Sequence, residues 1–105
     1  MARDRFFTDV LKELNDARLT GAYFITTKES SEDLFKIYIR DGELVAVTYG
    51  SAAGQDAIEI LEYYRLQNGT FFKDFAMPAN TTPLKFSMKK FIDMMRKSGT
   101  LIRVV

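Results

Sequence analysis

Asp41-Gly42 stands between two runs rich in β-branched and aromatic residues, Leu34–Arg40 and Glu43–Tyr49. A two-residue turn joining such runs needs positive φ at both central positions, which Asp tolerates and Gly adopts freely. The pair therefore predicts an antiparallel hairpin and sets its register. Arg40 falls opposite Glu43, Ile39 opposite Leu44, Tyr38 opposite Val45, Ile37 opposite Ala46 and Phe35 opposite Thr48. Strand side chains alternate, so one face carries Phe35, Ile37, Ile39, Leu44 and Ala46, the expected core face. The other carries Leu34, Lys36, Tyr38, Arg40, Glu43, Val45, Val47 and Tyr49. That second face is more apolar than a fully solvated one, so partial cover by a helix of the chain or by another molecule is expected.

The rest of the chain supplies elements to pack on this hairpin. From Arg5 to Arg18 the apolar residues Phe6, Phe7, Val10, Leu11, Leu14 and Ala17 follow helical spacing, with Asp9, Lys12, Glu13 and Asp16 opposite. Thr20-Gly21 is the expected stop, Gly21 serving as a left-handed C-cap. Ala22–Thr27 reads as a strand and Lys28–Asp33 as a solvated hairpin loop. After the central hairpin, Gly50–Gly54 is a small-residue connection with Ser51 as the expected N-cap. It lacks the lysine–hydroxyl pair of a P-loop and the three-glycine spacing of a dinucleotide fingerprint, so close packing is its simpler reading. A helix over Gly54–Leu66 presents Ala57, Ile58, Ile60, Leu61 and Tyr64, and Asn68-Gly69 closes it. Thr70–Phe75 reads as a fourth strand, with Phe71 and Phe75 on one side and Phe72 on the other, ended by Met77-Pro78 and a loop over Ala79–Pro83. Ser87 opens a last helix reaching about Lys97, with Met88, Phe91, Ile92 and Met95 on one stripe. Ser98-Gly99 stops it, and Thr100–Val105 is β-prone. The expectation is one α+β domain over 1–105: an antiparallel sheet of about four strands with N-terminal, central and C-terminal helices.

Composition matters chiefly for what it removes. The chain has 105 residues, no cysteine and no histidine. Thiolate chemistry and disulfides are excluded, and with histidine go the commonest general base and zinc ligand. Asp41, Glu43, Asp56 and Glu59 are the nearest carboxylates to a pair, and each has a turn, cap or solvated-face role. No catalytic, cofactor-binding or metal-ligating residue is assigned. A net charge of +1 carries no electrostatic footprint for nucleic acid. No run approaches the ~20 apolar residues of a membrane span, and the opening MARDRFF is not a secretory signal. A cytoplasmic location is expected.

Several stretches together resemble a known family. The strand pair ITTKESSEDLFKIYIRDGELVAVTYG is followed by Gly54, Asp56, Ala57, Ile58 and Leu61 in a G-x-D-A-I-x-x-L pattern, then by Asn68-Gly69-x-Phe71. This is similar to the bacterial PATAN-type domain and the related domain of unknown function grouped with it, and SMKKFIDMMR resembles their last helix. The chain departs from the pattern at Lys73, where a second aromatic often stands. The resemblance implies a non-catalytic module of bacterial signal transduction. Here it would be a stand-alone adaptor for a signalling or GTPase-regulatory protein, with no catalytic residues to carry over. A small-molecule sensor domain is the alternative reading. The expected interaction surface is Tyr38, Val45, Val47, Tyr49 and Phe72, with Lys89, Lys90, Arg96 and Lys97 of the last helix steering an acidic partner. Symmetric pairing of two copies is the simplest association such a surface allows.

Overall fold

The computed structural model describes residues 3–30, 32–76, 87–96 and 101–104. Along these the chain runs β1 (Arg3–Phe6), α1 (Phe7–Asp16), β2 (Gly21–Thr27), β3 (Phe35–Arg40), β4 (Glu43–Tyr49), β5 (Ala52–Ala53), α2 (Gln55–Tyr63), β6 (Leu66–Lys73), α3 (Met88–Arg96) and β7 (Leu101–Val104). The strands form one sheet in the order β1-β7-β6-β2-β3-β4-β5. The class is α+β, but the expected sheet of about four antiparallel strands is corrected to seven in a mixed sheet, since β6 and β7 run parallel. The additional strands are short, and their partners are distant or turn-bound. Among the described residues β1 pairs only with β7, Arg3 opposite Val104, and β5 pairs with the end of β4. Met77-Pro78, Ala79–Pro83, Lys97, Ser98-Gly99, Thr100 and Val105 lie outside the described residues.

Tertiary pairing also moves the helix ends. Arg5 and Phe6 belong to β1 because Ile102 and Leu101 pair with them. Arg5 reaches back to α1 through two hydrogen bonds of 2.7 Å to the Glu13 carboxylate, a bidentate ion pair. α1 ends before Gly21, with Arg18 at φ 52. There the Leu19 N–H donates to the Leu14 carbonyl and the Arg18 N–H to that of Asn15. That is a Schellman ending in which arginine holds the position glycine usually takes. α2 starts after Gly54, not Ser51, because Ala52 and Ala53 first fold back onto Tyr49 and Thr48. It stops short of Leu66, which pairs with Thr27 and is buried in the core. Ser87 caps α3 as expected, its hydroxyl accepting the Lys90 N–H at 3.3 Å.

All three helices cover one face of the sheet. Phe7, Leu11, Ile58, Leu61, Phe91 and Met95 meet Tyr23, Ile25, Phe35, Ile37 and Ile39 in a single core. Gly69 of β6 lies directly under the Tyr23 ring, where a β-carbon would collide. The hairpin tip is clamped to the end of α1. The Gly42 N–H donates to the Leu19 carbonyl at 2.9 Å, Asn15 Nδ2 donates to the Gly42 carbonyl at 2.8 Å, and the Asp41 N–H donates to Thr20 Oγ1 at 2.9 Å. Asp41 and Gly42 have φ of 50 and 81, as the turn requires.

The register of the hairpin holds for its first two pairs and then slips. Arg40 faces Glu43 and Ile39 faces Leu44, but Tyr38 faces Ala46, Ile37 faces Val47 and Phe35 faces Tyr49. Val45 is the extra residue of a β-bulge, and beyond it every side chain of β4 changes face. Val47 and Tyr49, expected on the outer face, are therefore in the core, where Tyr49 stacks on Phe35 at 4.1 Å between ring centroids. Ala46, expected in the core, is on the outer face.

Candidate functional site: the open aromatic face of the sheet

The face turned away from the helices follows from alternation in four neighbouring strands. In β2, Tyr23 and Ile25 point into the core, so Ala22 and Phe24 point out. Ala22 stands opposite Tyr38 on one side and Phe72 on the other, and Tyr38 stands opposite Ala46. One row across the sheet thus reads Phe72, Ala22, Tyr38, Ala46, with large and small side chains in turn. The next row reads Thr70, Phe24, Lys36, Thr48.

Rings fill the space above the alanines. Phe24 lies 5.0 Å from Phe72 and 5.1 Å from Phe75, and Phe75 lies 6.4 Å from Tyr38. These tilted and edge-on contacts suit the ring quadrupoles. They bury Ala22 and leave Tyr38 only 7% exposed, although no helix among the described residues packs on this side. Lys36 lays its ammonium 5.6 Å from the centre of the Phe24 ring. Phe72 and Phe75 form the outer layer and stay 44% and 40% exposed. Phe75 joins Phe72 rather than Phe71 because Asp74 takes φ 58 and donates its N–H to the Thr20 carbonyl, breaking the alternation after β6.

Of the surface expected from sequence, the structure brings together Tyr38, Val45 and Phe72. Val47 and Tyr49 are removed to the core by the bulge. Lys89, Lys90 and Arg96 are exposed on α3, which packs on the opposite face of the sheet. They cannot border the aromatic patch, and with a Debye length of about 8 Å they contribute little field there. Lys97 lies outside the described residues. Sequence reading missed Phe24 and Phe75. Extending the alternation through Ala22–Thr27 from its most apolar members finds Phe24, whereas Phe75 depends on one left-handed aspartate.

The remaining polar features carry structural duties. A recess of about 580 Å³ at the hairpin tip is lined by Asn15, Asp16, Arg18, Asp41 and Glu43, the residues around the clamp. Glu29 accepts from Arg65 at 2.8 Å, which holds its carboxyl below the usual range. The Tyr23 and Tyr49 hydroxyls are buried with no hydrogen-bond partner among the described residues, and burial pushes Tyr23 up to about 12, so it keeps its proton at neutral pH. Among the described residues no three of His, Cys, Asp and Glu are grouped to hold a metal, and no helix is long and apolar enough to cross a membrane. Comparison with protein-family models, with curated proteins and with solved structures finds no match to this chain.

Proposed function

We propose that this chain is a non-catalytic protein-interaction module of cytoplasmic signal transduction, an adaptor that works through the open aromatic face of its sheet. The observation that supports the reading is the pair Phe72 and Phe75, side by side and each about two-fifths exposed over a buried layer of Phe24, Tyr38 and Ala22. Exposed aromatics that touch one another, backed by a rigid sheet and flanked by threonines, have the composition of interface centres and rims. A rigid sheet also lowers the ordering cost of association. The resemblance drawn from the sequence adds the class of partner, a bacterial signalling or GTPase-regulatory protein. The recess at the hairpin tip is open and polar-lined and lends no support to a sensor role.

The test is affinity capture from the native cell with mass spectrometry, run in parallel on the wild type and on a Phe72→Glu/Phe75→Glu variant with matched circular dichroism. Proteins held by the wild type and lost by the variant uphold the reading. Identical sets from both proteins place the working surface elsewhere and defeat it.

A further inference from the structure

We infer that Thr20 is a latch joining the clamp at the hairpin tip to the open face, and that Phe75 enters or leaves the aromatic patch as this latch closes or opens. That the patch docks a partner is the reading given above, on which the inference rests; the latch adds how the patch is regulated.

Thr20 lies in the link between α1 and β2 and holds a different element on each side. Its hydroxyl accepts the Asp41 N–H at 2.9 Å, next to the Gly42 N–H that donates to the Leu19 carbonyl. Its own carbonyl accepts the Asp74 N–H at 2.8 Å. This second bond falls just beyond the β2–β6 ladder, where Gly21 pairs with Lys73. There the chain stops running as a strand, because Asp74 turns to φ 58. Among the described residues the non-glycine positions with positive φ are Arg18, Asp41 and Asp74, and all three adjoin the Leu19–Thr20 segment. Left-handed backbone in such residues persists only where the surrounding contacts hold it.

The hold on Asp74 is slight. Asp74 and Phe75 are both exposed, and the strain of the left-handed turn is comparable to the worth of one hydrogen bond. The turn is therefore a two-state element. With the latch closed, Phe75 lies 5.1 Å from Phe24, 6.3 Å from Phe72 and 6.4 Å from Tyr38. With the bond to Thr20 lost, Asp74 relaxes to strand geometry, and alternation carries Phe75 to the side of Phe71 and Lys73. Opening thus removes one exposed ring from the patch and uncovers part of Tyr38. Since one residue supplies both acceptors, a shift of the hairpin tip or of the end of α1 moves Thr20 and weakens its grip on Asp74. Such coupling is reciprocal.

The experiment is amide hydrogen exchange followed by NMR on the full chain, with ring–ring NOEs of Phe75 read from the same samples. Gly69, packed under the Tyr23 ring, is the control amide. Thr20→Val keeps the shape and removes the hydroxyl acceptor, and Thr20→Ser keeps the acceptor. Asp74→Pro removes the donor and forbids positive φ. The expected result is that Thr20→Val speeds exchange at both Asp41 and Asp74 by about tenfold, the scale of one hydrogen bond. Gly69 should be unchanged, the NOEs from Phe75 to Phe24 and Tyr38 should be lost, and Thr20→Ser should behave as the wild type. By reciprocity, Asp74→Pro should lose the same NOEs and speed exchange at Asp41. If Thr20→Val frees Asp41 but leaves Asp74 protected and Phe75 in place, the latch is overturned. An Asp41 amide indifferent to Asp74→Pro overturns it too, and that variant, at an exposed position, decides the matter if Thr20→Val does not fold. No partner enters these measurements, so the latch can fail while capture by the open face stands, and the reverse.

Discussion

The two faces of the sheet are made by the same strands and are both rich in rings, yet they are buried by different means. On the covered face Phe35, Ile37, Ile39 and Val47 are excluded from solvent by helices whose own apolar stripes close over them. On the open face burial is local: Phe24, Phe72 and Phe75 lean over Ala22 and Tyr38, and the outermost rings remain in water. Most of the hydrophobic stabilisation therefore belongs to the covered face, since it scales with apolar area removed from water. The outer rings of the open face are left with area that a partner can still bury.

The comparison breaks first if a core ring proves dispensable. Phe35→Ala removes a fully buried ring that stacks on Tyr49, and the expected loss is about 3–5 kcal/mol in denaturant unfolding. A loss under about 1 kcal/mol would place Phe35 outside the cooperative core. Next comes the clamp that ties the covering helix α1 to the sheet. Gly42→Val forces a β-branched residue to φ 81 and sets a β-carbon 2.5 Å from the Asn15 carbonyl oxygen. About 2–3 kcal/mol of destabilisation is expected, and an unchanged midpoint would mean the tip is not docked.

A third test reads the covered face through pH. Tyr23 is raised from 10.0 to about 12 by burial. Below pH 10 Tyr23 keeps its proton in both folded and unfolded chains and contributes no pH dependence to stability. Between pH 10 and 12 the unfolded chain ionises while the folded one does not, so stability falls by about 2–3 kcal/mol in total. Tyr23→Phe should lack this part of the alkaline loss. It should also be near neutral at pH 7, because the hydroxyl it removes has no hydrogen-bond partner among the described residues. Equal alkaline slopes in the two proteins would show that the ring is reached by water. The smallest effect is expected on the open face, where Phe72→Ala should cost about 1 kcal/mol or less in the monomer. A cost like that of Phe35→Ala would make the outer rings part of the core and erase the distinction.

The hairpin was legible from Asp41-Gly42 because a two-residue turn is encoded locally, and the core side of β3 followed from Phe35, Ile37 and Ile39. What failed had no local signal. The Val45 bulge is one unpaired residue within a uniformly β-prone run, and it reassigned Ala46, Val47 and Tyr49 together. β1 reads as the start of a helix until Ile102 and Leu101 pair with Arg5 and Phe6. The candidate surface was half legible for the same reason. Tyr38 and Phe72 follow from alternation, whereas Phe75 arrives through the φ of Asp74 and the distance of Lys89 and Lys90 from the rings is a matter of layer.

The pairing of β1 with β7 has a consequence for how the molecule comes into being. During synthesis Arg3–Phe6 emerges well before its strand partner Leu101–Val104. Until then β1 can be held by the Arg5–Glu13 ion pair to α1, which forms within the first turns of the chain. The hairpins β2–β3 and β3–β4 need only short loops and can settle early, and β6 can join β2 as it appears. Closing the β1–β7 side joins strands far apart in sequence and therefore follows the local hairpins. The nascent domain therefore passes through a stage in which its sheet ends at β6, with that strand's outer edge unpaired.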